Sequence, residues 1–220
     1  MLKLKEVISG TDGRMRKLVL KTALITFGAA LVLVALVFII VSSSSPVAMM
    51  NLTASMGMDG ASGDYAYTAY ERTEEISYLA YSCEMAAIRK EDAAIVSRCE
   101  TLFEHEKFAE YCAKKDGEPD RAPEEISQYV SGGYAQFLYG QYACALLRTG
   151  EAEKAADFAI EAAGESFPEN NAAIALAIEA HSLEKKDFCK LYAEKLRACS
   201  ANENERCKDI IKILEDFANE

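Results

Sequence analysis

The sequence is poor in proline and histidine, and its 220 residues include no tryptophan. Only four prolines are present, and Ala, Glu, Lys and Leu are abundant, so the composition favours helix over sheet. The two histidines exclude a zinc protease, because His105-Glu106 begins an HExxH pattern whose fifth position is Ala109.

Motifs of enzymatic chemistry are also missing. The sequence has no CxxC pair, no Cys–His spacing suited to zinc, no G-x-S-x-G, no phosphate-binding glycine loop and no dinucleotide fingerprint. Carboxylates are so abundant that no acid pair stands out. We therefore expect a protein that is not an enzyme and that needs no cofactor or metal.

Charge is distributed unevenly along the chain. Residues 1–21 hold six bases and two acids, a net of +4, which leaves −15 for the remainder of a chain whose total is −11. An acidic domain is repelled by phosphate backbones, so nucleic-acid binding is not expected. The acidity serves either solubility or a basic partner surface.

Residues 22–41 form the longest apolar run, TALITFGAALVLVALVFIIV, without a single charge. A helix of this length spans about 30 Å, the hydrocarbon thickness of a bilayer. Four bases between residues 14 and 21 precede the run, and no base follows it before Arg72, so the positive-inside rule predicts a cytoplasmic N-terminus. A cleaved signal peptide is the alternative, but its apolar region is normally about 7–15 residues long and ends at an A-x-A-like site.

The remaining chain divides into a tether and a helical domain. Residues 42–63 are rich in Ser, Gly, Met and Ala and are predicted to form a flexible linker. From residue 64 onward the apolar spacing becomes helical and predicts an all-α domain over 64–220. The six or seven predicted helices run from 64 to 89, from after 92 to 114, and over 124–148, 151–164, 170–184, 186–200 and 203–218.

The stretch YGQYACALLRTGEAEKAADFAIEAAGESFP at 139–168 resembles a tetratricopeptide repeat. Its pattern residues are Tyr139, Tyr142, Ala143, Leu146, Gly150, Ala155, Phe158, Ala162 and Pro168. Residues 169–200 form a degraded copy at an offset of about 34–36 residues. The lead aromatic is Tyr instead of Trp, and Pro168 lies one residue late. The resemblance implies stacked antiparallel hairpins with a concave face for a peptide or partner domain, as in bacterial membrane-anchored repeat proteins that assist secretion or envelope assembly.

Five residues are the candidate contacts of such a concave face: Tyr134, Tyr139, Tyr142, Asn170 and Asn171. Tyrosine suits recognition sites because one end is apolar and the other is polar. It is equally the usual filler between helical pairs, and that interpretation stays open.

Seven cysteines, at positions 83, 99, 112, 144, 189, 199 and 207, all follow the predicted span. Facing residues of an antiparallel hairpin are equidistant from its turn, which predicts Cys83–Cys99 and Cys199–Cys207 disulfides on an oxidising side of the membrane. The alternative is that the cysteines are reduced, buried apolar residues. A thiol-dependent or ligand-sensing domain is accordingly the second functional hypothesis.

Overall fold

A computed structural model describes residues 13–117, 132–168 and 170–220. Within these ranges the chain is all-α, as predicted, with eleven α-helices and no strand. The helices are α1 (Gly13–Ser44), α2 (Pro46–Ser55), α3 (Asp59–Thr73), α4 (Ile76–Arg89), α5 (Asp92–Phe103), α6 (Phe108–Asp116), α7 (Tyr134–Thr149), α8 (Ala152–Ala163), α9 (Ala172–Ser182), α10 (Lys186–Ala198) and α11 (Glu205–Asn219), with a 3₁₀ turn at Ser200–Glu203. The chain divides into two compact units, Met1–Met49 and Met50–Glu220.

Helix α1 carries the predicted span. Its segment Lys17–Val41, 25 residues, is long and apolar enough to cross a membrane, and none of it is buried in the protein. The hydroxyls of Thr22 and Thr26 donate to the carbonyls of Leu18 and Thr22, four residues earlier, at 3.0 and 2.9 Å. Both threonine hydroxyls are therefore satisfied within the helix, as a lipid environment requires.

The predicted flexible linker at 42–63 is largely helical in the structure. The Ser45 hydroxyl accepts a hydrogen bond from the Ala48 amide at 3.3 Å, and Pro46 occupies the first position of α2. This Ser-Pro start favours a helix, because the serine caps an orphan amide and proline lacks an amide that needs a partner. A turn at Gly57, with φ at 69°, then leads into α3.

Two predicted helices are each split in the structure. The helix predicted over 64–89 breaks at Glu74, whose φ is 55°, since adjacent acids at a helix C-terminus oppose the helix dipole. The next helix breaks between Phe103 and Phe108, and the break lets both rings pack together with centroids 5.4 Å apart. The described part of the chain after Met58 thus has nine helices, where six or seven were predicted.

Three helical hairpins share one turn geometry. The pairs α4–α5, α7–α8 and α9–α10 turn at Lys90, Gly150 and Glu184, with φ angles of 55°, 94° and 55°. In each turn the next residue donates its amide to a carbonyl five residues back, at 3.0, 2.8 and 3.0 Å, which ends the first helix. Gly150 and Glu184 lie 34 residues apart.

Helix α7 is central to the second unit and packs against α5, α6, α8 and α9. A Cβ added to Gly140 would lie 3.0 Å from the Cβ of Ala175, so the absence of a side chain lets α7 and α9 approach closely. Ala143 and Ala155, two of the small residues of the repeat-like pattern, are fully buried. The residues predicted over 124–131 lie outside the described ranges.

Candidate partner-binding groove

A groove of about 600 Å³ runs between the first helices of the three hairpins, α4, α7 and α9. We call it the α4–α7–α9 groove. Its lining residues are Ala87, Ile88, Lys90, Gln136, Phe137, Gln141, Cys144, Arg148, Asn170, Asn171, Ile174, Ala175, Ile178 and Glu179. The groove therefore lies at the first helix of each of the three pairs.

Apolar side chains make up much of this lining. Phe137 is buried, Ile88 and Ile174 are half-buried, and Ile178 is 65% exposed although it is a large aliphatic residue. Exposed isoleucine is unfavourable in water, and its burial by a ligand would release that cost. Ile178 is thus a natural anchor point for an apolar group.

Two glutamines from successive turns of α7 differ in how their amides are used. The Gln136 side chain donates to the Ala162 carbonyl at 2.6 Å and accepts from the Ala172 amide at 3.0 Å. Gln141 is half-buried, lines the groove, and makes no side-chain hydrogen bond with the described residues. Its amide is therefore available to pair with one peptide group of a ligand.

Of the predicted contact residues, Asn170 and Asn171 line the groove. Asn171 is fully buried and caps α9, because its side chain accepts from the Ile174 amide and donates to the Pro168 carbonyl, both at 2.9 Å. Asn170 has a left-handed backbone, with φ at 51°. Asn171 thus shapes the groove, and Asn170 stands at its edge.

The charged groups of the groove neutralise one another. Arg148 donates to Asp92 at 2.7 Å and to Glu179 at 2.6 Å, which ties α5, α7 and α9 together. Lys90 is exposed at the rim. With Asp92, which pairs with Arg148 but does not line the groove, two carboxylates face the two cations Lys90 and Arg148, so the groove does not select a strongly charged ligand.

Tyr139 and Tyr142 lie on the other face of α7, away from the groove. Tyr139 packs edge-on against Phe103 with centroids 4.9 Å apart, and Tyr142 packs edge-on against Phe158 at 4.6 Å. The Tyr142 hydroxyl donates to Glu100 at 2.7 Å. A hydrogen bond from Lys154 and then this one lower the pKa of the Glu100 carboxyl.

Tyr134 is buried at the start of α7. Its hydroxyl donates to the buried Glu84 carboxylate at 2.5 Å, and Lys115 lies 3.4 Å from the same oxygen. Burial, followed by the Glu84 charge, raises the pKa of Tyr134 well above its ordinary value. All three predicted tyrosines therefore fill space between helices, the interpretation that the sequence leaves open.

A stripe of α7 that sequence reasoning missed provides the groove contacts instead. Phe137, Gln141, Cys144 and Arg148 follow one another at intervals of four, three and four residues, so they share one face of the helix. Their mixed apolar and polar character breaks the pure core pattern. That break is the signal by which the sequence could have pointed to them.

The cysteines meet in the pairs that hairpin geometry predicts. Cys83 raises the pKa of the Cys99 thiol, and Cys199, after burial, contributes to the raised pKa of Cys207, so the two members of each pair lie close together. All seven cysteines are free thiols in the structure. The two disulfides accordingly stay predictions, now with their partners side by side.

Burial makes Cys112, Cys144 and Cys207 poor nucleophiles. It raises the pKa of Cys112 and of Cys144 to about 12, in each case with a smaller contribution from a nearby carboxylate, Asp116 or Glu179. It also raises the pKa of Cys207 to about 11. A reactive cysteine needs a lowered pKa, so these sites do not favour the thiol-dependent hypothesis.

The described residues contain no group of three or more His, Cys, Asp or Glu side chains that could hold a metal ion. Comparison of the chain with protein-family models, with curated proteins and with solved structures gives no match. The α4–α7–α9 groove and the apolar helix α1 are therefore the features of the molecule that bear on its function.

Proposed function

We propose that this chain is a membrane-anchored, non-enzymatic interaction module. Helix α1 crosses the membrane, the basic leader lies in the cytoplasm, and the unit Met50–Glu220 lies on the far side. There the α4–α7–α9 groove binds a segment of a partner protein. The observation that carries this proposal is an open, charge-balanced groove with an exposed Ile178 and a Gln141 amide that has no partner among the described residues.

The chemistry of the lining points to an extended, mostly apolar peptide segment. The apolar side chains of the groove suit apolar ligand side chains, whereas the Gln141 amide matches the donor and acceptor of a peptide group. Lys90 and Arg148 together balance Asp92 and Glu179, which removes any preference for a polyanion or polycation. Gln136 already pairs with backbone groups of α8 and α9, the same type of contact.

A tetratricopeptide-like arrangement is part of the proposal. Three hairpins with equivalent turns, a 34-residue interval between Gly150 and Glu184, and the buried Ala143 and Ala155 support it. In that arrangement the first helices of the pairs line the concave face, where the groove lies. Assistance to secretion or envelope assembly is the role that a membrane-tethered module of this kind would serve.

Selection from a random peptide library tests the groove, with the full chain in lipid nanodiscs as bait. We expect enrichment of apolar peptides whose binding is lost in Ile178→Asp and in Gln141→Arg. The matched control is Ile213→Asp, at a residue 58% exposed on α11, which should bind as the unchanged chain does. Equal loss in all three variants, or no enrichment at all, would contradict peptide binding in the groove.

A small apolar ligand is the second candidate, because about 600 Å³ falls within the range of small-molecule pockets. The same variants separate the two. A ligand-sensing groove would return no peptide, yet hydrophobic compounds would raise the melting temperature of the unchanged chain and not that of Ile178→Asp.

Protease added to intact cells tests the topology. Because the four bases next to the span lie on its N-terminal side, we expect the Met50–Glu220 unit to be digested and the leader to be protected. Digestion of the leader with protection of the C-terminal unit would reverse the orientation. Release of a shortened, water-soluble chain would identify α1 as a cleaved signal peptide.

A further inference from the structure

The uncharged part of the chain is far longer than a membrane span needs. No charged residue occurs between Lys21 and Asp59, a run of 37 residues. The candidate span ends at Val41, so 17 uncharged residues follow it. By contrast, 51 of the 162 residues from Asp59 to the end are charged, nearly one in three. The segment after the span is thus built differently from the surface of the domain that follows.

Large apolar side chains in this segment are exposed. Leu52 is 45% exposed, Met56 64% and Met58 47%. Outside α1, the described residues include six exposed large apolar side chains, and these three are the ones that cluster within seven positions. Of the others, Ile178 and Leu183 lie five residues apart, and Ile213 lies on α11. A cluster of this kind marks a surface that contacts something other than water.

Helix α2 also carries no charged residue. Pro, Val, Ala, Met and Leu make up most of Pro46–Ser55, and its polar residues are the uncharged Asn51, Thr53 and Ser55. The Thr53 side chain is nearly fully buried on one side, while Leu52 and Met56, four residues apart, share an exposed side. An exposed apolar side of this kind marks contact with protein or with lipid.

We propose that the Leu52–Met58 segment, which we call the juxtamembrane patch, lies in the headgroup region of the bilayer. This inference rests on the proposed crossing by α1. Leu52 follows Val41 by only eleven residues, so the bilayer surface is the apolar phase to which the patch is tethered. Since the patch has no Lys or Arg, its lipid contact comes from apolar burial and does not require anionic lipids.

The absence of tryptophan permits a direct test, because a single introduced indole is observed without tryptophan background. The full chain is reconstituted in phosphatidylcholine vesicles with or without brominated acyl chains, which quench indole on contact. Three variants are compared: Phe27→Trp within the span, Met56→Trp in the juxtamembrane patch, and Ile213→Trp on α11. Each position is more than half exposed within the protein, so the substitutions spare the core.

We expect Phe27→Trp and Met56→Trp to lose most of their emission in brominated vesicles, and Ile213→Trp to keep it. Quenching of Met56→Trp should be unchanged when anionic phosphatidylglycerol is added. If Phe27→Trp is quenched and Met56→Trp is not, the juxtamembrane inference is overturned while the span stands. If Phe27→Trp is not quenched either, the anchoring proposal falls as well. Quenching of Met56→Trp only with anionic lipid would overturn the apolar basis of the contact.

Discussion

Neighbouring residues on the two faces of helix α7 serve different purposes. On one face, Tyr142 packs against aromatic rings and donates its hydroxyl to Glu100. On the other face, its neighbour Gln141 extends into the α4–α7–α9 groove without a hydrogen-bond partner among the described residues. Aromatic residues that have internal partners stabilise the fold, whereas a polar group without one is available to a ligand.

The difference favours polar groups without an internal hydrogen-bond partner, more than residue type, as the guide to a candidate binding surface. Tyr134 and Tyr142 are enriched types at interfaces, yet each hydroxyl is already bonded to a carboxylate of the same chain. A partner that engaged them would have to break these bonds. Ile178 and Gln141 offer contacts at no such cost.

The largest expected effect separates the two faces by stability. Tyr142→Ala removes a ring that is 3% exposed, so we expect the free energy of unfolding to fall by about 3–5 kcal/mol, as for other buried aromatics. Gln141→Ala on the opposite face should change it by less than about 0.5 kcal/mol. Urea unfolding of the full chain in mild detergent, followed by circular dichroism, measures both. Similar losses in the two variants would contradict the division of α7 into a packed and an open face.

The next effect concerns Cys144, whose thiol lines the groove. With a pKa raised to about 12 from 9.0, it should contain about a thousandfold less thiolate at neutral pH than an ordinary cysteine. We expect iodoacetamide to leave it unmodified near pH 7, as tryptic mass spectrometry would show. Because the folded state holds the proton more tightly, the contribution of this group to stability is complete below about pH 9 and is lost as the pH rises toward 12. Rapid modification at neutral pH would revive the thiol-dependent hypothesis.

The cysteine pairs Cys83–Cys99 and Cys199–Cys207 should behave differently from Cys144. We expect Cys83–Cys99 and Cys199–Cys207 to be bridged in protein isolated from membranes, each by loss of two thiol hydrogens to the oxidants of an oxidising compartment. The Cys83–Cys99 bridge would stabilise the fold by about 3 kcal/mol. Mass spectrometry after alkylation in denaturant without reductant detects the bridges. Full alkylation of all four cysteines would show instead that they are reduced apolar residues.

A smaller effect is expected at Tyr134. Tyr134→Phe keeps the ring and removes the hydrogen bond to the buried Glu84, which should cost about 1.5–3 kcal/mol because the acceptor is charged. A double-mutant cycle with Glu84→Gln isolates the interaction. The two losses should be clearly non-additive, and simple additivity would mean that the hydrogen bond contributes nothing to stability.

Local patterns in the sequence sufficed for the helical class and for the hairpin turns. Gly150 and the Lys90-Glu91 break are sites where a helix ends on local grounds, and both are turns in the structure. The break at Glu74 was harder to predict, since the apolar spacing continues through it. The linker prediction gave weight to serine and glycine and overlooked the Ser45-Pro46 helix start.

The groove was harder to predict than the fold, for a physical reason. Contacts between residues about 30 to 60 positions apart, such as those of Arg148 with Glu179 and Asp92, decide the roles of the two faces of α7. One face packs against α5 and α8, and the other lines the groove beside α9. Spacing along one helix identifies two faces but does not say which is covered. Tyr139 and Tyr142 therefore lie on the face of α7 away from the groove, whereas Asn170 and Asn171 line it.

Site-specific photo-crosslinking in native membranes tests the central claim most directly. A photoreactive amino acid is placed at Ile178 in the groove or at Ile213 on α11, two comparably exposed isoleucines. We predict discrete protein adducts from position 178 that disappear when Gln141→Arg is added, and none from position 213. Equal adducts from both positions, or adducts from 178 that persist in Gln141→Arg, would contradict a partner-binding role for the α4–α7–α9 groove.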